Sequence, residues 1–326
     1  MSQQQKVLVL GANGRLGRSV VAAFAAAGWQ VRAQTRNPAR WQSKSWPNGV
    51  EPWCCDAMDE TAVCRAAEGA DVIVNALNPL YTQWQDKAVR LGENALAAAR
   101  ASGALLLFPG NIYNFGKRLP ESLPADTPQV GNTAKAQIRI AMERTMRAAA
   151  SEGVNSVVLR AGDYFGGAER GAWFDLAITK KLLQGKMMYP GPTDRVHTWA
   201  YLPDFAQVFV RVAARRAQLH GFHVYHFPGY AITGAELQRA LEAVVGRQLQ
   251  VASLPWWSLR LAAPFSPMLR AILEMRYLWD RPHRLEDGPL RELIGNLPAT
   301  PLHAALHASL VALDRLPLSE EGLHHA

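Results

Sequence analysis

Three glycines near the start of the chain, Gly11, Gly14 and Gly17, constrain its fold more than any other feature. They join the apolar run Val7 to Leu10, which predicts a strand buried on both faces, to apolar residues at helical spacing from Leu16 to Phe24. In such a unit the glycines permit a sharp turn, approach of backbone N–H groups to a phosphate, and close packing of helix on strand. A tight turn without a ligand is the alternative. The spacing favours a pyrophosphate-binding loop, and therefore a dinucleotide ligand.

The rest of the first half alternates between strand-like and helix-like runs. Further strands are predicted at Gln30 to Thr35, Val50 to Cys55, Asp71 to Ala76, Leu105 to Phe108 and Ser156 to Leu159. Helices are predicted at Glu60 to Ala67, Gln83 to Ser102 and Thr133 to Glu152. Such alternation predicts an α/β fold with a doubly wound parallel sheet of the Rossmann type.

The pattern changes after Gly162, where loops become longer and richer in glycine, proline and aromatic residues. We expect residues 1–160 and about 198–230, with a helix over Ala200 to Ala214, to form the dinucleotide-binding domain. Residues of about 161–197 and 231–326 are expected to form a smaller, mostly helical substrate-binding or lid domain, in which Thr233 caps a helix over Ala235 to Val245. Residues 256–280 are apolar at helical spacing. A packed helix pair is favoured over a membrane-surface element, because Pro264 and Pro267 interrupt the run.

Composition excludes several classes of protein. The chain is 49% hydrophobic and 19% charged, which is typical of a globular protein, and no apolar run approaches the ~20 residues that a membrane span needs. A cytoplasmic protein without a membrane partner is expected. The net charge of +8 comes from scattered Lys and Arg residues rather than a basic run interleaved with aromatics. It therefore favours an anionic cofactor or substrate over nucleic acid.

The three cysteines, Cys54, Cys55 and Cys64, fit neither a disulfide framework nor the usual zinc spacings. We expect buried, reduced thiols and no metal site.

The end of the second predicted strand indicates which dinucleotide is bound. An acidic residue there would accept from the ribose 2′-hydroxyl of NAD(H), whereas a cation there suits the 2′-phosphate of NADP(H). The segment from Gln34 to Arg40 has no carboxylate, and Arg36 together with Arg15 of the glycine loop can pair with a phosphate. NADP(H) is therefore predicted rather than NAD(H), the alternative being that both arginines are only solvated. Asp56 is positioned to accept from the adenine amino group or to cap a helix.

With these features assembled, the sequence resembles the extended short-chain dehydrogenase/reductase superfamily over essentially its whole length, in the atypical NAD(P)-binding, epimerase/dehydratase-like branch. The matching pieces are the segment Gly11 to Gly17, Asp56, Asn75 to Leu77, Asn94, the segment Arg160 to Gly166, and the segment His197 to Asp204. The resemblance implies cofactor contacts from Gly11, Asn13, Gly14, Arg15, Leu16, Gly17, Arg36, Asp56, Ala57, Ala76 and Lys135.

The catalytic residues of that superfamily are only partly present. Its enzymes use a Tyr four residues before a Lys on one helix, and Lys135 matches the Lys while Gly131 stands at the Tyr position. The Ser or Thr expected after the fifth strand is replaced by the segment Phe108 to Asn111. The remaining catalytic candidates are Tyr113, Lys135, Asn111 and His197, followed by Asp163, Tyr164 and Tyr201; each of the loop residues also has a purely structural interpretation.

The sequence thus predicts an NADP(H)-dependent oxidoreductase or epimerase-like enzyme for a small carbonyl or hydroxyl compound, with Tyr113 as the acid or base. The aromatic residues of the second domain suit an aromatic or otherwise apolar substrate, or equally belong to its core; they are Trp173, Phe174, Trp256, Trp257 and Trp279. The alternative is a catalytically silent sensor that reads the redox state of the dinucleotide, which the missing Tyr favours. A homodimer is left open.

Overall fold

A computed structural model describes residues 4–42, 45–167 and 169–316, and its centre is a seven-stranded parallel sheet. The strand order is β11-β7-β5-β4-β1-β2-β3. The strands are β1 (Lys6–Leu10), β2 (Gln30–Thr35), β3 (Val50–Cys54), β4 (Val72–Asn75), β5 (Leu105–Gly110), β7 (Ser156–Arg160) and β11 (Phe222–His226). The predicted Rossmann-type α/β fold is confirmed.

Helices cover both faces of this sheet, which is why its central strands read as continuous apolar runs. Helices α3 (Glu60–Ala67), α4 (Val89–Ser102) and α5 (Ala134–Ala149) pack on one face. Helices α1 (Arg15–Ala26) and α6 (Leu202–Ala214) pack on the other, while the short α2 (Pro38–Gln42) follows β2.

The remaining elements belong mainly to the second half of the chain, where helical residues predominate around short sheets. Three small sheets have the strand orders β12-β10-β8, β13-β9 and β14-β6. Their strands are β6 (Ser122–Leu123), β8 (Asp163–Phe165), β9 (Lys186–Tyr189), β10 (Val196–Tyr201), β12 (Tyr230–Thr233), β13 (Gln250–Ser253) and β14 (Arg284–Leu285). The helices are α7 (Gly234–Val245), α8 (Trp256–Ala262), α9 (Pro267–Glu274), α10 (Tyr277–Asp280), α11 (Gly288–Ile294) and α12 (Leu302–Ala312).

Several predicted bounds are wrong, for identifiable reasons. Helix α6 begins at Leu202 because the preceding residues pair as strand β10. The helix predicted from Gln83 starts as a 3₁₀ turn and a π turn before α4, and the buried Trp84 indole in these turns donates to the Pro79 carbonyl at 3.0 Å. Residues 256–280 form three α-helices and a 3₁₀ turn over Ala263–Phe265 rather than a helix pair. Ser266 caps α9 after the proline break, and α9 ends at Glu274, before α10 begins at Tyr277.

Local capping signals were more reliable. Thr133 accepts the Ala136 N–H at the start of α5, and Thr233 forms a reciprocal capping box with Glu236 at the start of α7. The cap predicted at Thr233 is therefore confirmed.

The expectation of buried thiols is wrong. Cys54 is exposed because β3 is the edge strand of the main sheet, and Cys55 and Cys64 are half-buried; none of the three is in a disulfide. Burial still raises the pKa of the Cys55 thiol to about 11.

Within the described residues, no helix combines the length and apolarity required to cross a bilayer.

Candidate active site

The glycine loop lies where β1 and β4 run side by side and their connections diverge to opposite faces of the sheet. Gly11 has a φ of +75°, and a Cβ there would be 3.1 Å from the Ala76 carbonyl carbon. A Cβ on Gly17 would be 2.2 Å from the Gly11 carbonyl oxygen. Packing at this switch point therefore requires glycine at both positions, as the sequence predicted for the turn and for helix packing.

The first turn of α1 offers unsatisfied donors to an anion. Gly14 is the N-cap residue, no side chain caps the helix, and no acidic residue lies in the first turn. Within the loop, Asn13 Nδ2 donates to Thr35 Oγ1 at 2.7 Å, while Asn13 Oδ1 is buried without a hydrogen-bond partner. Leu16 packs against the core and fixes the helix start. These residues fit a dinucleotide diphosphate, because backbone N–H groups and the helix dipole favour negative charge here.

Gln34 supports this loop and was not identified from the sequence. It is buried at the end of β2, accepts the Gly11 N–H at 2.9 Å through Oε1, and donates through Nε2 to the Cys55 carbonyl at 2.7 Å. The glycine loop and the end of β3 are thereby held in one arrangement. A glutamine among the inward-facing residues of a buried strand was the available signal.

We expect Gly14→Val to weaken NADPH binding by more than about tenfold while leaving the fold intact, because the side chain enters the space above the helix start that the phosphates need. The backbone at Gly14, with φ −77°, suits an L-residue, and a Cβ there would lie 3.2 Å from the Gly11 carbonyl oxygen, which requires only a small adjustment. Calorimetry measures the affinity and circular dichroism the fold. Gly288→Val, in open space at the start of α11, is the matched control. Normal NADPH binding by Gly14→Val contradicts the assignment of the loop.

The two arginines predicted at the 2′-phosphate have different surroundings. Arg36 is exposed at the end of β2. Arg15 instead pairs with the buried Asp175 at 3.2 Å and donates to the Gly166 carbonyl at 3.4 Å. Burial lowers the pKa of Arg15 from its usual value, and Asp175 opposes that shift.

Asp56, the predicted adenine contact, and Ala57, another predicted cofactor contact, follow β3. Asp56 is exposed and accepts the Met58 N–H at 3.0 Å, whereas the cap of α3 is Asp59 rather than Asp56. Ala57 is buried, and its carbonyl accepts from Asn94 Nδ2 at 2.8 Å. Asp56 therefore keeps a carboxylate oxygen for a ligand.

Tyr113 follows β5 at its carboxyl edge. Asn111 Oδ1 accepts the Tyr113 N–H at 3.0 Å and shapes the turn, so the Tyr113 hydroxyl lies 3.1 Å from the hydroxyl of Tyr81. Burial raises the pKa of Tyr113 well above its usual value, and the Tyr81 hydroxyl and Asp163 raise it further. Tyr113 is therefore a protonated hydrogen-bond donor at neutral pH. Tyr81 was missed, although its position after β4 was the available signal.

His197 belongs to a neighbouring buried pair. Its Nε2 lies 2.8 Å from Asp163 Oδ2, and its ring stacks on Trp279 with centroids 4.2 Å apart. Burial and the nearby His197 lower the pKa of His283 to about 3, so His283 is neutral beside the pair. Tyr164, half-buried beside the pair, donates to the Gly110 carbonyl at 3.1 Å. The structure thus links His197 to Asp163 directly and to Tyr113 only through the charge of Asp163.

Lys135 lies in the first turn of α5 and contacts α9. Its Nζ donates to Glu274 Oε2 at 2.6 Å and to the Ala271 carbonyl at 2.9 Å, and it lies 4.9 Å from the centre of the Tyr81 ring. Glu274 also accepts the Ala134 N–H at 2.7 Å. The contact predicted between Lys135 and a cofactor ribose stays a prediction.

A buried network of ion pairs and hydrogen bonds contacts the segment after β5 that carries Tyr113. Glu143 on α5 pairs with Arg160 at the end of β7 at 2.5 Å, and both side chains are almost fully buried. Glu143 also accepts from Asn114 at 2.8 Å and from Gln129 at 2.7 Å, while Arg160 lies 3.3 Å from His226. The network joins the segment after β5 to α5, β7 and β11, and so positions Tyr113.

Known proteins resemble this chain in sequence and in fold. The model of the NmrA-like family matches residues 3–287. A relative from Streptomyces sp., 3-diazoavenalumate denitrifying reductase, is 28% identical over 274 residues, covering 75% of this chain and 86% of that protein.

Solved structures share the fold at low sequence identity. The Bordetella bronchiseptica enzyme WbmH in complex with NAD⁺ is 15% identical, with a TM-score of 0.74 over 97% of this chain and 100% of that chain. The dTDP-glucose 4,6-dehydratase DesIV from Streptomyces venezuelae, with NAD and TYD bound, is 18% identical, with a TM-score of 0.73 over 95% of this chain and 97% of that chain. The expected resemblance to epimerases and dehydratases is confirmed at the level of the fold.

Proposed function

The chain belongs to the NmrA-like family, an atypical NAD(P)-binding branch of the short-chain dehydrogenase/reductase superfamily, and on that premise we propose that it is an NADP(H)-dependent reductase of a small carbonyl compound. The observation that carries the proposal is the buried Tyr113 hydroxyl, paired with Tyr81 at the carboxyl edge of β5. The name of the Streptomyces relative, a reductase, agrees with this direction.

NADPH, when bound, would supply the hydride. The chain's own task is to orient the substrate and to deliver one proton to the oxygen that becomes a hydroxyl. Tyr113 would act as a donor rather than a base, because burial raises its pKa and it remains protonated at neutral pH; the same shift makes it a weaker acid than a solvated tyrosine. The resulting phenolate can recover a proton through Tyr81, which is more exposed than Tyr113. Asn111 holds the turn, and the pair of Asp163 and His197 sets the local charge.

Deuterium transfer tests this proposal. The protein is incubated with NADPH deuterated at C4 and a panel of aromatic aldehydes, ketones and quinones, and the products are analysed by mass spectrometry. Incorporation of deuterium into an alcohol product is the expected result. Binding of NADPH without turnover of any compound contradicts the proposal and favours the sensor.

One observation favours that second candidate, a dinucleotide sensor without chemistry. Lys135 is held by Glu274 and by the end of α9, so the cation expected at the cofactor ribose is already neutralised. A sensor predicts that binding of NADPH and of NADP⁺ changes this contact to different extents. Limited proteolysis measures how strongly NADPH and NADP⁺ each protect the α8–α9 segment from cleavage. Equal protection by the two dinucleotides argues against sensing.

We expect NADPH to bind more tightly than NADH by about tenfold to a hundredfold, because Arg36 is exposed beside the ribose end of the site and the end of β2 bears no acid. Arg36→Ala should remove most of this preference, as measured by calorimetry with both cofactors. Arg65→Ala, an exposed arginine in the last turn of α3, is the control and should retain it. Equal affinities in the unmodified protein refute the NADP(H) assignment.

A further inference from the structure

Arg139 lies on α5 one turn beyond Lys135, at the same edge of the sheet as Tyr113. Its guanidinium carbon is 4.6 Å from the centre of the Trp84 ring and 5.0 Å from that of Phe108, the side chain near the end of β5. Among the described residues, no hydrogen bond or ion pair engages this guanidinium, and its Nε is buried without a partner. A half-buried cation thus lies beside Tyr113 with no carboxylate bound to it, and Glu143, four residues further along α5, acts on it only through its charge.

The carboxylates around Arg139 are already engaged. Glu143, one turn further along α5, binds Arg160 at 2.5 Å. Glu274 binds Lys135 at 2.6 Å, and Asp163 binds His197 at 2.8 Å. Because an arginine stays charged, its burial without a partner carries a free-energy cost that aromatic faces offset only in part. Asp163 is balanced by His197 only when that histidine is protonated. Among these cations in the described part of the chain, Arg139 is the one that no carboxylate binds.

The groups beside this charge are aromatic and hydroxyl-bearing. Burial lowers the pKa of Arg139 from its usual value, and the nearby Tyr164, Tyr113, Glu143 and Tyr81 oppose that shift. The rings of Trp84 and Phe108 pack against the guanidinium and are themselves buried, whereas the neighbouring Tyr81 and Tyr164 are half-buried. A ligand that suits these surroundings combines a flat apolar body with a single negative charge.

We propose that Arg139 binds the carboxylate of the substrate, which is an aromatic or conjugated monocarboxylic acid whose reducible group reaches Tyr113. This inference rests on the proposed function and names its substrate class. One free cation matches one carboxylate, and the planar guanidinium edge pairs with a carboxylate through two parallel hydrogen bonds. A phosphate monoester carries up to two negative charges, and Lys135, one turn away on α5, is already neutralised by Glu274.

Calorimetry with small probes tests the proposal on the whole protein saturated with NADP⁺ at pH 7. The probes are cinnamate, its uncharged isostere cinnamamide, and phenyl phosphate. We expect cinnamate to bind about tenfold to a hundredfold more tightly than cinnamamide, as for a charge-assisted hydrogen bond, and more tightly than phenyl phosphate. Arg139→Met should abolish the preference for cinnamate, and Arg139→Lys should retain part of it.

Arg147→Met is the matched control, because Arg147 lies on the same helix and its guanidinium carbon is 4.5 Å from the centre of the Phe222 ring, away from the site. It should leave the cinnamate preference unchanged. Equal binding of cinnamate and cinnamamide by the unmodified protein overturns the proposal even if Arg139→Met fails to fold. Tighter binding of phenyl phosphate overturns the choice of carboxylate. Because NADPH affinity and deuterium transfer are measured separately, failure of the proposed function is distinguishable from failure of this inference.

Discussion

Tyr113→Phe is expected to lower the turnover of NADPH-dependent reduction by a factor of about 10² to 10⁴, while NADPH affinity stays within about twofold. The substitution removes only the hydroxyl that donates the proton, since the ring remains packed beside Trp84. The cofactor loop is untouched. Single-turnover kinetics with deuterated NADPH measures the step directly.

Two further variants separate a chemical role from a structural one. Tyr81→Phe removes the hydroxyl partner of Tyr113 and should reduce turnover less than Tyr113→Phe, because it interrupts only resupply of the proton. Tyr225→Phe, on the edge strand β11, is the control and should leave turnover unchanged. If Tyr113→Phe leaves turnover unchanged, the proton donor is instead Tyr164, Tyr201 or His197.

Glu143→Ala is expected to lower the free energy of unfolding by about 3 to 5 kcal/mol, because it leaves the Arg160 guanidinium buried without its counter-charge. Arg160 and Glu143 have side chains that are only 1% and 3% exposed. The loss also removes the acceptor for Asn114, so we expect the Tyr113 turn to loosen. Urea unfolding followed by circular dichroism gives the change in stability.

The surface pair of Arg100 and Glu152 is the matched control. Arg100 Nη2 and Glu152 Oε2 are 2.6 Å apart, but the two side chains are 46% and 57% exposed. Glu152→Ala should therefore lower the free energy of unfolding by less than about 1 kcal/mol. Glu143→Gln keeps the shape and one acceptor oxygen, and with it half of the hydrogen bonds that Glu143 accepts. It should fall between the two and remains informative if Glu143→Ala does not fold. Similar losses for Glu143→Ala and Glu152→Ala contradict the role assigned to the buried network.

Local rules explain which parts of the molecule could be read from the chain. Gly11 and Gly17 encode a backbone turn and a close approach that other residues cannot adopt, so the glycine loop and its neighbouring strand and helix were predictable. Thr133 and Thr233 satisfy N–H groups only three residues away, and their helix starts were read correctly. The order of apolar runs fixed the parallel sheet in the same way.

The site itself depended on tertiary structure. Tyr81 meets Tyr113 across 32 residues, and Glu274 meets Lys135 across 139 residues. The unpaired state of Arg139 follows from three carboxylates that are each engaged elsewhere, which no spacing along the chain records. Periodicity and capping report on backbone geometry within a few residues, whereas charge compensation depends on which distant segments the fold brings within a few ångströms. The sequence by itself therefore determined the scaffold and its dinucleotide loop, and only the folded chain decided which polar groups are left free to act.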